Sequence, residues 1–163
     1  MKTIIVYYSL ENNTNYAAEK IAEKLGADLL RLEPVKAYPT GKMTKFIFGG
    51  RSAMMKERPA LQPYEFDTDA YDCVILGTPV WASTFTPPVR TFLQENNLKG
   101  KKIGLFACST GGDATKCFDA MKKELIEQGI TDIGAEASFI DPYKNQTGEN
   151  EEKIHSFCAQ IAL

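Results

Sequence analysis

Cys73-Val74-Ile75-Leu76-Gly77-Thr78-Pro79-Val80-Trp81-Ala82-Ser83-Thr84, running on through Thr86-Pro87-Pro88-Val89-Arg90-Thr91-Phe92-Leu93, decides the fold. Cys73 to Thr78 is a continuous apolar run rather than an alternating one. A run of that kind reads as a strand covered on both faces, which is the habit of parallel sheets. Thr86 stands where a helix cap belongs, and Pro87 and Pro88 suit a helix's first turn. Val89, Phe92 and Leu93 then fall on the inner face. Between strand and helix sits a short turn carrying Trp81, the chain's single tryptophan.

The same alternation extends in both directions. Thr3 to Tyr8 is a second doubly covered strand, followed by the polar loop Ser9 to Asn13 and a helix from about Thr14 to Leu25. Ala17, Ala18, Ile21, Ala22 and Leu25 share one face of that helix, and Gly26 ends it. Ala27 to Glu33 reads as a shorter strand, Ile103 to Cys108 as a fourth and Ile133 to Ile140 as a fifth. Helices are expected over Thr115–Gln128 and Gly148–Ala162. The latter begins with Glu149, Glu151 and Glu152 at the positive end of its dipole. Pro34 to Asp72 is long for one connection. Lys42 to Lys56 within it reads as a helix with Phe46, Ile47, Ala53 and Met54 along one side; Gly49-Gly50 weakens it, and a break or an irregular end is expected. Arg58 to Phe66 reads as loop. Strands alternating with amphipathic helices predict an α/β protein. The expected architecture is a three-layer, doubly wound, five-stranded parallel sheet of order 2-1-3-4-5, one domain over 1–163.

Composition narrows the function classes. The 163 residues carry 19 Lys+Arg against 21 Asp+Glu, a net charge of −2, which argues against non-specific nucleic-acid binding. No apolar run approaches the roughly 20 residues that span a bilayer. Met1-Lys2-Thr3-Ile4-Ile5-Val6 enters the first strand with no cleavage-site pattern, so a cytoplasmic location is expected. Cys73, Cys108, Cys117 and Cys158 form no CxxC pair and have only His155 as an imidazole neighbour. They read as reduced, buried thiols rather than metal ligands. Lys36, Lys42, Lys45, Arg51, Lys56 and Arg58 make one segment locally basic. That is a solvated helix face, or a docking patch for an acidic partner or a phosphorylated dinucleotide.

In a sheet of order 2-1-3-4-5 the winding reverses between strands 1 and 3, and a crevice opens at their carboxyl ends. Three loops converge there. Ser9-Leu10-Glu11-Asn12-Asn13-Thr14 offers hydroxyls and amides and leads into a helix N-terminus that favours an anion. It lacks the lysine of a P-loop and the glycines of a dinucleotide turn, and it suits one phosphate held by neutral donors. Helix capping by Asn13 or Thr14 accounts for the same residues equally well. Thr78 to Thr84 puts Trp81 in a turn, where an indole can lie against a flat ring or fold back over the edge of the core. Ser109-Thr110-Gly111-Gly112-Asp113 adds a diglycine that lets backbone N–H groups approach a ligand closely. Together the loops match a phosphorylated flat heterocycle.

Over nearly its whole length the chain resembles the flavodoxin family. The most specific resemblance is Gly77-Thr78-Pro79-Val80-Trp81-Ala82 followed by Pro87 to Leu93; Ser9 to Thr14 is similar to the family's phosphate loop, [ST]-x-T-G-N-T. The resemblance implies FMN as cofactor, its phosphate held by Ser9, Asn12, Asn13 and Thr14 with the amide of Asn15. It implies Thr78, Pro79, Val80, Trp81 and Ala82 along the isoalloxazine, and Ser109, Thr110, Gly111, Gly112 and Asp113 over its pyrimidine side. Glu11 and Asn12 depart from the pattern: a carboxylate stands where Thr is usual, and Asn, which tolerates positive φ, where Gly is usual. The chemistry would belong to the flavin, with no catalytic side chain assigned. Three functions follow: an electron carrier between redox partner proteins, an oxidoreductase taking hydride from NAD(P)H for a quinone-like acceptor, or a flavin-free binding module. A phospho-receiver is excluded, because Ser9 and Thr78 stand where it needs acidic residues.

Overall fold

The computed structural model describes residues 1–163, the side chain of Lys42 excepted. Five strands, β1 (Thr3–Tyr7), β2 (Asp28–Arg31), β3 (Cys73–Pro79), β4 (Lys102–Ser109) and β5 (Ile133–Ile140), form one parallel sheet of order β2-β1-β3-β4-β5. Helices α1 (Asn13–Leu25), α2 (Lys42–Met54), α3 (Pro87–Glu95), α4 (Thr115–Glu127) and α5 (Gly148–Ala162) connect and follow them. No helix among the described residues is long and apolar enough to cross a membrane.

Successive side chains of a strand point to opposite faces, so the central strands feed two cores. Ile4, Val6, Tyr8, Val74, Leu76 and Leu105 pack with Val89 and Phe92 of α3 and Met121 and Leu125 of α4. Ile5, Tyr7, Ile75, Phe106, Cys108 and Phe139 pack with Ala17, Ala18 and Ile21 of α1 and Phe157 and Ile161 of α5. The doubly covered strands are buried over almost every residue, which is why they read as unbroken apolar runs.

Three expectations are corrected. The second strand covers only Asp28–Arg31 and is largely exposed, because it lies at the sheet edge. Beyond it, Val35 donates to Ala60 and Gln62 donates to Glu33, so the returning segment pairs antiparallel with 33–35. Second, α2 runs through Gly49-Gly50 without a break. Phe46, Ile47, Ala53 and Met54 do lie on one side of it, but that side is mostly uncovered: Ala53 is buried, whereas Phe46, Ile47 and Met54 are exposed. Third, Thr86 sits at the N-cap of α3 but its side chain caps nothing. Its hydroxyl and its N–H both meet the Thr78 hydroxyl, at 3.0 Å each, which closes the base of the Trp81 loop.

Candidate functional site

A single pocket at the carboxyl ends of β1, β3 and β4 is lined by Ser9 to Glu11, Asn13, Thr14, Pro79 to Ala82 and Cys108 to Thr110, with Lys45, Phe46 and Gly50 from α2. The first two loops predicted from sequence therefore meet there, and the third contributes its first half. This is the edge at which the winding of the sheet reverses.

The Ser9–Thr14 loop is built to present an α-helix start. Asn12, at the N-cap of α1, adopts φ 72°, the left-handed turn that Asn accepts with little strain. The buried Ser9 hydroxyl accepts from the Asn15 N–H at 3.1 Å, while the Ser9 carbonyl accepts from Arg31 at 3.0 Å. Thr14, 1% exposed, has a hydroxyl that lies beside the Cys108 thiol but makes no hydrogen bond of normal geometry among the described residues, although it lines the pocket. Buried hydroxyls seldom stay unpaired, so this group, with the unsatisfied N–H groups of the helix start, fits an anionic oxygen. The Asn13 side chain is committed elsewhere: it donates to Asp141 at 3.1 Å and accepts from Tyr143 N–H at 3.0 Å. What Asn13 offers the pocket is backbone. The Asn15 side chain is held by Tyr7 and Glu19, and Asn12 and Asn15 lie outside the lining.

The Trp81 loop is a two-residue turn. Trp81 N–H donates to the Thr84 carbonyl at 2.9 Å and Thr84 N–H returns to Trp81 at 3.0 Å. Ala82 and Ser83 hold φ of 48° and 62°. Two successive positive φ values define a mirror-image turn that normally selects Asn-Gly. Keeping Ala and Ser there stores backbone strain, a habit of ligand loops. The indole meets Tyr38 edge-on at 5.0 Å and Tyr8 at 5.7 Å, so Trp81 both closes the core edge and forms pocket wall. Thr78 is fully buried beneath the turn and does not reach the pocket; its hydroxyl holds the loop base. Gly111, Gly112 and Asp113 also lie outside the lining, and Asp113 is spent on Thr115 at the start of α4.

Helix α2 forms a wall that sequence reasoning missed. Gly49 faces Trp81: a Cβ there would lie 3.1 Å from two indole carbons. Gly50, one residue on, lines the pocket and would place a Cβ in open space. The pair that looked like a helix interruption instead permits one close approach and leaves one side of the cavity clear. Lys45 reaches the pocket from the same helix and its ammonium meets the Glu11 carboxylate at 2.5 Å. At the pocket floor, burial pushes the Cys108 thiol up to about 12, so it stays neutral and non-nucleophilic near pH 7.

The fold is that of the doubly wound α/β proteins, and the crevice lies at their switch point. The family model for flavodoxin matches residues 2–133, and the chain belongs to the flavodoxin family. Three solved structures agree in fold. A candidate flavoprotein from Bacteroides eggerthii is 24% identical with a TM-score of 0.77, covering 99% of this chain and 98% of that one. A flavoprotein in complex with FMN from Lactobacillus acidophilus is 22% identical with a TM-score of 0.73, covering 89% and 96%. The oxidised Flavodoxin 1 from Bacillus cereus is 17% identical with a TM-score of 0.62, covering 99% and 97%.

Proposed function

We propose that this protein binds one FMN in the crevice and carries electrons between redox partners. One observation carries the reading. The buried Thr14 hydroxyl, which has only the weakly bonding Cys108 thiol beside it among the described residues, sits at the start of α1 in a pocket that also contains the indole of Trp81. A phosphate at one end of a flat ring satisfies the first and lies against the second. Family membership and a structural relative solved with FMN support the same choice of cofactor.

In this arrangement Ser9, Thr14 and the first N–H groups of α1 hold the phosphate, with Asn12 setting the loop's shape. Pro79 to Ala82 flank one side of the ring, and Ser109 and Thr110 the other. Bound FMN supplies one- and two-electron chemistry. The chain's part is to orient the ring, shield it with Trp81 and Phe46 and keep acid–base groups away from the floor, where Cys108 remains protonated. Met43, Phe46, Ile47 and Met54 are exposed on the helix that forms the pocket wall. An apolar rim beside a redox centre suits contact with a partner protein.

The test is a titration of the purified chain with FMN, followed by stepwise reduction with spectra recorded. Saturation at one FMN per chain and reduction in two separate one-electron steps are expected. A single two-electron step with rapid NAD(P)H oxidation would assign the protein to the oxidoreductases instead. A chain that ignores FMN would leave a flavin-free binding module.

A further inference from the structure

The pocket lining contains two charged side chains among the described residues, Glu11 and Lys45. Glu11 comes from the anion-binding loop and Lys45 from α2, 34 positions further along. Their contact is 2.5 Å, and the Lys45 side chain is 16% exposed against 45% for Glu11. The cation is the more enclosed partner, with its ammonium also 5.3 Å from the Phe46 ring centre. A carboxylate on a loop that otherwise offers hydroxyls and N–H groups opposes a phosphate dianion. Glu11 is 45% exposed, so water screens that opposition in part without removing it.

We infer that Lys45 is a specificity-determining residue: it cancels the charge of Glu11 and so lets the α1 loop accept a phosphorylated flavin. The inference rests on the FMN reading above and assigns to α2 the cation that the loop itself lacks. It explains how Glu11 can occupy this loop at all. With Lys45 in place the wall is neutral, and the α1 start and Thr14 dominate. Without it the carboxylate stands alone beside the phosphate position. Riboflavin, which has the same ring and no phosphate, does not sense this balance.

Equilibrium titrations with FMN and with riboflavin, read by flavin fluorescence, test it on four proteins: the unaltered chain, Lys45→Met, Glu11→Gln and the double variant. Met keeps the lysine's apolar stem, and Gln keeps the shape of Glu. Lys45→Met should weaken FMN about tenfold while changing riboflavin by less than about threefold. Adding Glu11→Gln should restore FMN to within about threefold of the unaltered protein. Equal loss of both flavins would make Lys45 a packing strut and overturn the inference. So would a double variant as weak as Lys45→Met, or FMN affinity indifferent to Lys45. If the unaltered chain binds neither flavin, the FMN reading itself falls. If it binds FMN and Lys45→Met binds it equally well, only the role of Lys45 falls.

Discussion

At the residue scale, Gly49 and Gly50 show how one dipeptide serves two purposes. In a helix interior each glycine costs about 1 kcal/mol relative to alanine. That cost is maintained at Gly49 because a Cβ would press on the Trp81 ring at 3.1 Å. At Gly50 nothing within the chain would be touched, but the position faces the pocket. Gly50→Ala should therefore raise the stability of the flavin-free protein by about 0.5–1 kcal/mol, seen as a higher thermal midpoint. It should leave the emission of the single tryptophan unchanged. Gly49→Ala should shift that emission, because the indole must move by a few tenths of an ångström, and should gain less in midpoint. Identical behaviour of the two variants would contradict the placement of α2 against the Trp81 loop.

At the element scale, α3 and α4 are joined by a charge pair under cover. The Arg90 side chain is 5% exposed and pairs with Glu124 of α4, which Arg58 approaches at 4.0 Å from outside. The guanidinium also lies 4.1 Å over the Phe85 ring, and its Nε has no partner among the described residues. Burial holds the Arg90 pKa below its ordinary value, against the pull of Glu124. Removing one partner of such a pair strands the other charge. Glu124→Gln should cost about 3–5 kcal/mol in urea unfolding. Arg90→Met combined with Glu124→Leu should recover most of that loss, since an apolar pair of similar volume is close to neutral. A loss below about 1 kcal/mol for Glu124→Gln would mean that water reaches the pair. Neither partner could be matched from sequence, because helical periodicity marks faces and not which faces meet.

At the scale of the whole molecule, burial weakens several acids in the same direction. Cys73 is pushed up to about 11, Cys117 to about 12 and Cys108 to about 12, each chiefly by desolvation, from an ordinary value of 9.0. Tyr64 is raised to about 12, and Tyr7, Tyr8 and Tyr38 also rise from 10.0, for the same reason. All are neutral when protonated. The unfolded chain therefore loses these protons near pH 9 to 10, while the folded chain keeps them until higher pH. Their stabilisation is complete below about pH 9 and is lost as pH rises from there toward 12. The urea midpoint, followed by circular dichroism, should thus be flat around neutrality and fall steeply above about pH 9. A fall that begins below pH 8 would point to a different titrating set. By the same argument the four thiols should resist alkylation at pH 8 until urea unfolds the chain.

The apolar runs and helix signals along the chain were enough for the five strands, their order and the edge where the loops after β1, β3 and β4 meet, because these depend on local periodicity and on the winding rules of parallel sheets. The meeting of Ser9, Thr14 and Trp81 at one pocket was legible for the same reason: each sits within a few residues of a strand end. The tertiary structure decided the rest of the pocket. Only folding brings Lys45 to Glu11 and Gly49 to Trp81. It spends Asn13 on Asp141 and Thr78 on Thr86, side chains that looked free in the sequence. Helix α2 also turns Phe46, Ile47 and Met54 outward and buries Ala53. A helical pattern gives the spacing of apolar residues, but which face is covered depends on what already occupies the core edge, here Tyr8, Tyr38 and Trp81.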